Sequence, residues 1–217
     1  MAVKLLGERD AKSLVSKLEG AYRDAKYYLN FKTPVDLLVA AILSAQTHDT
    51  VVNAVTPTLF SKYKKAGDYA RARPEELLAI VGKVSYARNK VLNIINACKL
   101  IDEKYAGRVP RTAEQLVELP GIGSKTANTI LINAYGIVNG IPVDTWVIKL
   151  SYRLGLSQNK NPDKIEKDLE RVVDRKYWHN FAYVLKAHGK NICGAVPKCS
   201  ICQVSAVCPR NGVTKST

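Results

Sequence analysis

Four of the chain's five cysteines lie within its last 25 residues, at spacings that suit a metal centre. Cys193, Cys199, Cys202 and Cys208 form the pattern Cys-x5-Cys-x2-Cys-x5-Cys. Thiolates this close together in a short loop can surround one ion or cluster, and the metal then supplies folding energy that a loop cannot obtain from packing. Two disulfides, or four unrelated buried thiols, are the alternatives, but the close spacing favours metal ligands.

The cysteine spacing alone does not decide which metal is bound. Zinc sites with four cysteines usually have two Cys-x2-Cys pairs, whereas this segment has one pair flanked by two five-residue gaps. Iron–sulfur runs are more evenly spread, and Pro209 follows the last cysteine as a proline does in bacterial ferredoxin runs. The spacing therefore favours a [4Fe–4S] cluster, with zinc as the alternative. His188 is interpreted as a neighbour of this site or a structural residue, and Cys98 as a core residue.

A second candidate site is the glycine-rich stretch Leu-Pro-Gly-Ile-Gly-Ser-Lys-Thr-Ala at 119–127. Glycines permit positive φ and close approach of a ligand, and the N–H groups at a helix N-terminus bind anions. We interpret the stretch as a helix-hairpin-helix that holds one DNA strand by its phosphates, with Ile122 packed on the core and Ser124 capping the second helix. An ordinary glycine-rich turn is the alternative. The expected DNA-binding residues of the hairpin are Gly121, Ile122, Gly123, Ser124 and Thr126.

The charge of the chain points to a polyanionic partner. Its 217 residues include 33 Lys and Arg against 19 Asp and Glu, a net charge of +14. Nucleic acid is the commonest partner of such proteins, because neutralised phosphates release counterions. A merely basic soluble protein is the alternative.

The N-terminal sequence and the apolar runs bear on location. The longest apolar runs, such as 37–43, are far too short to span a bilayer, and the N-terminal residues lack the apolar region of a signal peptide. We therefore expect an intracellular monomer with no membrane partner, in the cytoplasm or nucleoid if the source is prokaryotic. Thiols stay reduced there and available for metal.

The elements that must position these sites are helices. Pro34 and Pro74 each begin a helical segment, and Thr112 with Gln115 predicts a capping box. We find no pair of alternating strands joined by a hairpin turn, so the predicted fold class is all-α. Helices are predicted over 89–105, 124–135, 144–154, 162–174 and 177–190.

Taken together, these motifs resemble the endonuclease III family of DNA glycosylases. The resemblance covers roughly residues 30–210 and is carried by the hairpin at 119–127, by Val143-Asp144-Thr145, by the four cysteines and by Ser-Ala-Gln-Thr-His-Asp at 44–49. It implies a [4Fe–4S] cluster rather than zinc. It also implies two helical domains flanking a DNA-binding cleft: a helical barrel at 27–137 that carries the hairpin, and a cluster domain made of 1–26 plus 138–217.

The resemblance also implies the chemistry. Members of the family are bifunctional glycosylases and AP lyases, which excise damaged, chiefly oxidised, pyrimidines from double-stranded DNA and cleave abasic sites by β-elimination. Lys125 matches the amine nucleophile that attacks C1′ of the sugar and forms a Schiff base. Its alternative role is contact with a phosphate. Asp144 matches the essential carboxylate, which accepts a proton and stabilises positive charge. It is also expected at the N-cap of the helix that follows.

The remaining DNA contacts are assigned by the same resemblance. The lesion must leave the base stack before the lysine can reach it. Gln46 matches the residue that fills the vacated space, and Tyr86 aligns with the apolar wedge on the opposite strand, where the family usually has leucine. Arg88 and Lys90 are candidate phosphate contacts, with a solvated loop as the alternative.

The chain departs from the family pattern in two places. The gap between Cys193 and Cys199 is five residues, where the family usually has six. Trp146 follows Asp-Thr, where the family usually has histidine, so substrate preference is expected to differ if that histidine orients the lesion.

Two rival functions remain open from the sequence. One is a monofunctional mismatch glycosylase, related to this family but with Tyr or Ser in place of the lysine; its adenine-specific branch also has a glutamate where this chain has Ala41. Lys125 argues against that reading. The other is a non-enzymatic DNA-binding or electron-transfer module with an iron–sulfur cluster, which predicts no covalent trapping on DNA.

Overall fold

We describe the protein from a computed structural model, which describes residues 3–217. Those residues form helices and loops with no β-strand, so the predicted all-α class is confirmed. The α-helices are α1 (Glu8–Ala21), α2 (Pro34–Ser44), α3 (Asp49–Lys62), α4 (Ala66–Ala70), α5 (Pro74–Val81), α6 (Ala87–Lys104), α7 (Ala113–Val117), α8 (Ser124–Tyr135), α9 (Thr145–Arg153), α10 (Pro162–Val172) and α11 (Phe181–Asn191). Short 3₁₀ turns cover Arg175–Tyr177 and Cys199–Ile201. None of the helices in the described range is both long and apolar enough to cross a membrane.

The chain divides into two compact units. One is Tyr28–Ile137, and the other combines residues up to Tyr27 with Val138–Thr217. These limits lie one residue from those expected for the barrel and cluster domains. The assignment of functions to the two units stays a prediction at this point.

The central helix of the Tyr28–Ile137 unit is α2. Residues 35–43 are all buried, and α3, α6 and α8 pack around the helix. Its start is fixed by a reciprocal cap, in which Thr33 Oγ1 accepts from the Asp36 N–H and Asp36 Oδ2 accepts from the Thr33 N–H. A helix buried on all sides must be apolar throughout, which explains the run from Leu37 to Leu43. Cys98 on α6 is fully buried, as predicted.

The other unit is assembled from the two ends of the chain. Helix α1 packs against α10 and α11, and α9 packs against both of those helices. Leu14 and Leu18 of α1 share a core with residues of α9, α10 and α11. Asn211 joins the segment before α1 to the end of the chain: its side chain accepts from the Lys4 N–H and donates to the carbonyls of Lys4 and Tyr152.

The predicted helix bounds lie within two residues of those in the structure, except at the start of the last helix. The helix predicted over 177–190 begins only at Phe181, because a 3₁₀ turn precedes it and the indole N–H of Trp178 donates to the Val173 carbonyl. Helices α1, α3 and α4 have no predicted bounds; α3 contains Pro57, a residue type that usually ends a helix. The helix predicted over 124–135 has those bounds in the structure.

Candidate DNA-binding hairpin and cysteine cavity

The two glycines of the hairpin between α7 and α8 have different roles. Gly121 has φ of 83°, in the left-handed region, and a Cβ there would lie 3.0 Å from Nδ2 of Asn93. Gly123 has φ of −97° and ψ of 173°, which any residue adopts, and a Cβ there would meet open space among the described atoms. Ile122 between them is buried, as predicted, and its N–H donates to the Leu119 carbonyl. The turn therefore needs glycine at 121 only.

The expectation that Ser124 caps α8 is wrong. Ser124 is the first residue of the helix, and Gly123, whose backbone is extended, is the N-cap. Within residues 3–217 no side chain caps this end. Gly123, Ser124 and Lys125 are exposed, so the first-turn N–H groups stand at the protein surface. Such an end is suited to a phosphate.

Lys125 occupies the second position of α8. Its side chain is exposed, and its carbonyl accepts from the Thr129 hydroxyl one turn later. Because the backbone at Lys125 is already helical, the position of its Cα is fixed by α8 while the amine extends into solvent. The amine of Lys125 therefore lies beside the exposed first turn of α8.

Asp144 is the N-cap of α9. Its Oδ1 accepts from the Val147 N–H at 2.9 Å, which confirms the predicted cap. The carboxylate is half-buried. The cap engages Oδ1, and a carboxylate has a second oxygen with which to act on a substrate. Lys125 belongs to the Tyr28–Ile137 unit and Asp144 to the other unit.

Gln46 and Tyr86 share an unusual backbone. Each has positive φ, 53° for Gln46 and 57° for Tyr86, although neither is glycine. Both side chains are exposed, that of Tyr86 as a large hydrophobic side chain at 67%. The loop after α2 and the turn before α6 are joined where the Ser85 N–H donates to Thr47 Oγ1. The two exposed side chains therefore stand on neighbouring loops of one unit.

The expectation that Lys90 contacts phosphate is wrong. Its side chain is buried, with 5% of the residue exposed, and its Nζ donates to the carbonyls of Leu43 and Ala45 and to Thr47 Oγ1. The lysine points inward because it lies one turn into α6, on the face that packs against the end of α2. Arg88, in the first turn, is exposed as expected.

All four C-terminal cysteines line one cavity. Each is a free thiol, so the alternative of two disulfides does not apply here. Arg153 donates from Nη1 to the carbonyls of Cys193 and Gly194, and lies 3.7 Å from the Cys193 sulfur. Within residues 3–217, no three His, Cys, Asp or Glu side chains form a compact group suited to one metal ion.

His188 is a buried neighbour of this cavity, as the sequence suggested. Its Nδ1 lies 3.1 Å from the Tyr22 hydroxyl and its Nε2 lies 3.9 Å from the Cys202 sulfur. Burial lowers the pKa of His188 to about 4, so the ring is neutral near pH 7. A neutral ring that accepts from Tyr22 at Nδ1 carries its proton on Nε2, facing the sulfur. Burial also raises the pKa of Cys208 to about 11. It raises the pKa of Cys202 as well.

Trp146 packs directly on the backbone of α11. A Cβ on Gly189 would overlap its indole ring, so the close approach requires glycine at that position. Lys149, one turn further along α9, lies over the same ring at 5.2 Å from its centre and donates to the Gly194 carbonyl. Helix α9, whose N-cap is Asp144, therefore packs against the segment that leads into the cysteine cavity. Trp146 is recognisable in the sequence as a departure from the family pattern, but nothing in the sequence predicts that it packs on Gly189.

Comparison with known proteins gives consistent results. Residues 39–175 match the HhH-GPD superfamily base excision DNA repair protein family. The chain is 42% identical over 193 residues to an endonuclease III of Synechocystis sp., covering 88% of each chain. It is 38% identical to that of Bacillus subtilis, covering 94% of each. A solved structure described as a trapped endonuclease III–DNA covalent intermediate superposes with a TM-score of 0.87 at 33% identity, covering 95% of this chain and 97% of that one.

Proposed function

The chain belongs to the HhH-GPD superfamily of base excision DNA repair proteins and, within it, to the endonuclease III group, and we propose that it excises oxidised pyrimidines with Lys125 as nucleophile. Members of this group are DNA glycosylases and AP lyases. The observation that carries the proposal is the exposed amine of Lys125 beside an N-terminus of α8 that is open to a phosphate. The trapped covalent complex of a relative supports a covalent route.

The first step is attack of the neutral Lys125 nitrogen on C1′ of the damaged nucleotide. A C1′–N bond to the lysine forms, and the glycosidic bond breaks so that the base leaves with its electron pair and takes up a proton. The C1′–O4′ bond then opens, O4′ is protonated, and an iminium links C1′ to Lys125. The sugar thus stays covalently bound to Lys125 after the base has left.

The second step cleaves the strand. A proton leaves C2′, its electron pair forms a double bond to C3′, and the C3′–O bond breaks with the phosphate as leaving group. Water then hydrolyses the iminium and returns Lys125 as the free amine. No redox step is needed, because every step is a substitution, a ring opening, an elimination, a hydrolysis or a proton transfer.

Asp144 has the chemical properties that the first step requires. A carboxylate can take the proton that the lysine must lose before attack, and its negative charge stabilises the positive charge that develops on the sugar. Its place at the N-cap fixes the carboxylate on a helix end, so it is preorganised before DNA binds.

The remaining proposed contacts bring the lesion to the lysine. The N–H groups of Gly121, Gly123 and Ser124 hold the phosphates, with Ile122 anchoring the hairpin in the core. Gln46 fills the space vacated by the lesion, and Tyr86 wedges against the opposite strand. Both side chains are exposed.

We further propose that Cys193, Cys199, Cys202 and Cys208 hold a [4Fe–4S] cluster. The donor set fits, because four free thiols line one cavity and thiolates are the ligands that such clusters use. When bound, the cluster supplies folding energy to a loop whose only regular element among the described residues is the turn Cys199–Ile201. The protein would act on the chromosome inside the cell.

Borohydride trapping tests the assignment of Lys125. Wild type and a duplex that carries thymine glycol or an abasic site are mixed with borohydride, which reduces the iminium to a stable amine. We expect a covalent complex with wild type and none with Lys125→Gln, whose affinity for the duplex stays near the wild-type value. Lys99→Gln, which replaces an exposed lysine on α6, is the matched control and traps as wild type does.

Three outcomes would contradict the proposal in different ways. Trapping by Lys125→Gln at the wild-type level would assign the nucleophile elsewhere. Base release by wild type without trapping would point to a monofunctional glycosylase. Binding with neither base release nor trapping would favour a non-enzymatic DNA-binding module.

A further inference from the structure

Lys90 is a buried cation whose bonding partners are neutral oxygens. Its Nζ donates to the Leu43 carbonyl at 2.8 Å, to the Ala45 carbonyl and to Thr47 Oγ1 at 2.9 Å. Burying an ammonium group is costly unless its donors are satisfied, and here three acceptors meet its three N–H groups. Burial lowers the pKa of Lys90, as expected for an amine removed from water.

The three acceptors lie at one place in the fold, the end of α2. Helix α2 ends at Ser44, and the carbonyls of a last helical turn lack partners inside the helix. A positive charge at this end also interacts favourably with the helix dipole. Lys90 therefore acts as a C-terminal cap for α2 that is supplied by a different helix, α6.

The same contacts flank Gln46 and Tyr86, two of the non-glycine residues with positive φ. Gln46 lies between Ala45 and Thr47, both of which bind the Lys90 ammonium. Tyr86 follows Ser85, whose N–H donates to the same Thr47 hydroxyl. A non-glycine residue in the left-handed region costs about 1–2 kcal/mol, so this backbone persists only where surrounding contacts impose it.

We propose that Lys90 is a positioning residue, which locks the Gln46 loop and the Tyr86 turn into one rigid unit so that both side chains enter the duplex together. The inference rests on the proposed function, because it concerns how the enzyme opens the base stack. Lys90 itself contacts neither DNA nor the reacting atoms. Its effect passes through Thr47, the residue that joins the two loops.

The test measures opening of the stack directly. A duplex carries an abasic site opposite 2-aminopurine, a base whose fluorescence rises when it is unstacked. At saturating protein, we expect wild type to raise the fluorescence, and Lys90→Met to lose most of that rise while still binding the duplex. Lys104→Met, on the same helix with an exposed ammonium that bonds Glu118, is the control and behaves as wild type.

A second pair of variants keeps the test decisive if Lys90→Met does not fold. Thr47→Val removes the shared hydroxyl and keeps the shape of the side chain, whereas Thr47→Ser keeps the hydroxyl. We expect the fluorescence rise to be lost in Thr47→Val and retained in Thr47→Ser. Folding of each variant is checked by circular dichroism and thermal unfolding.

Two results would overturn the inference. One is a full fluorescence rise in folded Lys90→Met or in Thr47→Val, which would reduce Lys90 to a contributor to stability. The other is the absence of a rise with wild type. If wild type still traps on borohydride, the proposed function stands and only the inference fails; if it does not trap, both fail.

Discussion

Asp144 combines two roles that a single substitution can separate. As the N-cap it accepts from the Val147 N–H, and as a carboxylate it is the proposed proton acceptor for Lys125. Serine is as good an N-cap as aspartate but carries no charge. A serine at this position therefore keeps the local structure and removes the chemistry.

We expect Asp144→Ser to keep the stability of the protein and to lower the rate of borohydride trapping by about 10²-fold or more, the usual contribution of a positioned acid or base. Asp144→Ala should lose a similar factor in rate and also about 1 kcal/mol of stability, because the cap is gone. Single-turnover trapping and urea unfolding measure the two effects. A serine variant that traps at the wild-type rate would leave Asp144 as a cap alone.

Lys90 is the residue at which the structure differs most from the expectation based on the sequence. Lys90 reads as a basic residue next to exposed Arg88, in a segment that was expected to face DNA. Nothing in the local pattern signals burial, because the three oxygens that bind its amine lie more than 40 residues earlier in the chain. A lysine normally lies at the surface, so long-range partners decide such a case.

At the scale of elements, the hairpin between α7 and α8 depends on one glycine. Gly121 has positive φ and a close neighbour in Asn93, whereas Gly123 has an extended backbone and open space. Gly121→Ala is therefore expected to lower stability by about 1–2 kcal/mol through backbone strain alone. It should also weaken DNA binding, because the turn that presents the N–H groups is distorted.

The matched variant is Gly123→Ala, which should change stability by only about a few tenths of a kcal/mol, because the loss of a favourable N-cap residue is offset by the lower conformational entropy of alanine in the unfolded chain. Asn93→Ala in the Gly121→Ala background should recover part of the loss, because it removes the side-chain contact but not the strain in φ. Thermal unfolding and DNA titration check these variants. Equal losses for the two glycines would contradict the assignment of different roles.

Helices could be predicted where a single pattern decides them. Helix α8 has an apolar periodicity, a glycine-rich turn before it and Gly136 after it, and its predicted bounds agree with the structure. Its cap could not be predicted, because Ser124 is a good N-cap by type and only the backbone of Gly123 shows that the helix has already begun. Helix α3 is hard to predict from the sequence, because Pro57 argues against a helix at this place. Tertiary packing nevertheless stabilises it.

At the scale of the whole molecule, the chain forms two compact units, and each contains cysteines with a different expected role. Cys98 packs in the core of the Tyr28–Ile137 unit, and Cys202 is one of the proposed cluster ligands in the other. The consequences of losing a cysteine should therefore depend on the unit. This makes the two units distinguishable in one experiment.

We expect Cys202→Ala to abolish the iron content and to speed amide hydrogen exchange in the unit that contains Val138–Thr217, because the loop loses the folding energy of its metal. Cys98→Ala should leave the iron content unchanged and speed exchange, if at all, within Tyr28–Ile137. Iron analysis and exchange measured by mass spectrometry report both effects. Full iron occupancy in Cys202→Ala would argue against this thiol as a ligand.

The unit that contains α1 is built from the two ends of the chain, and this fixes the order in which the protein can fold during translation. Residues 28–137 have left the ribosome, and can complete their own core, while most of the partners of α1 are still unsynthesised. Until α9 to α11 emerge, Leu14 and Leu18 of α1 have no core to join. Asn211 can bond Lys4 and Tyr152 only after the segment that follows α11 has been synthesised. A nascent chain that stalls before α9 would carry a completed hairpin and an amphipathic helix α1 whose apolar face has no partner, a natural target for chaperones.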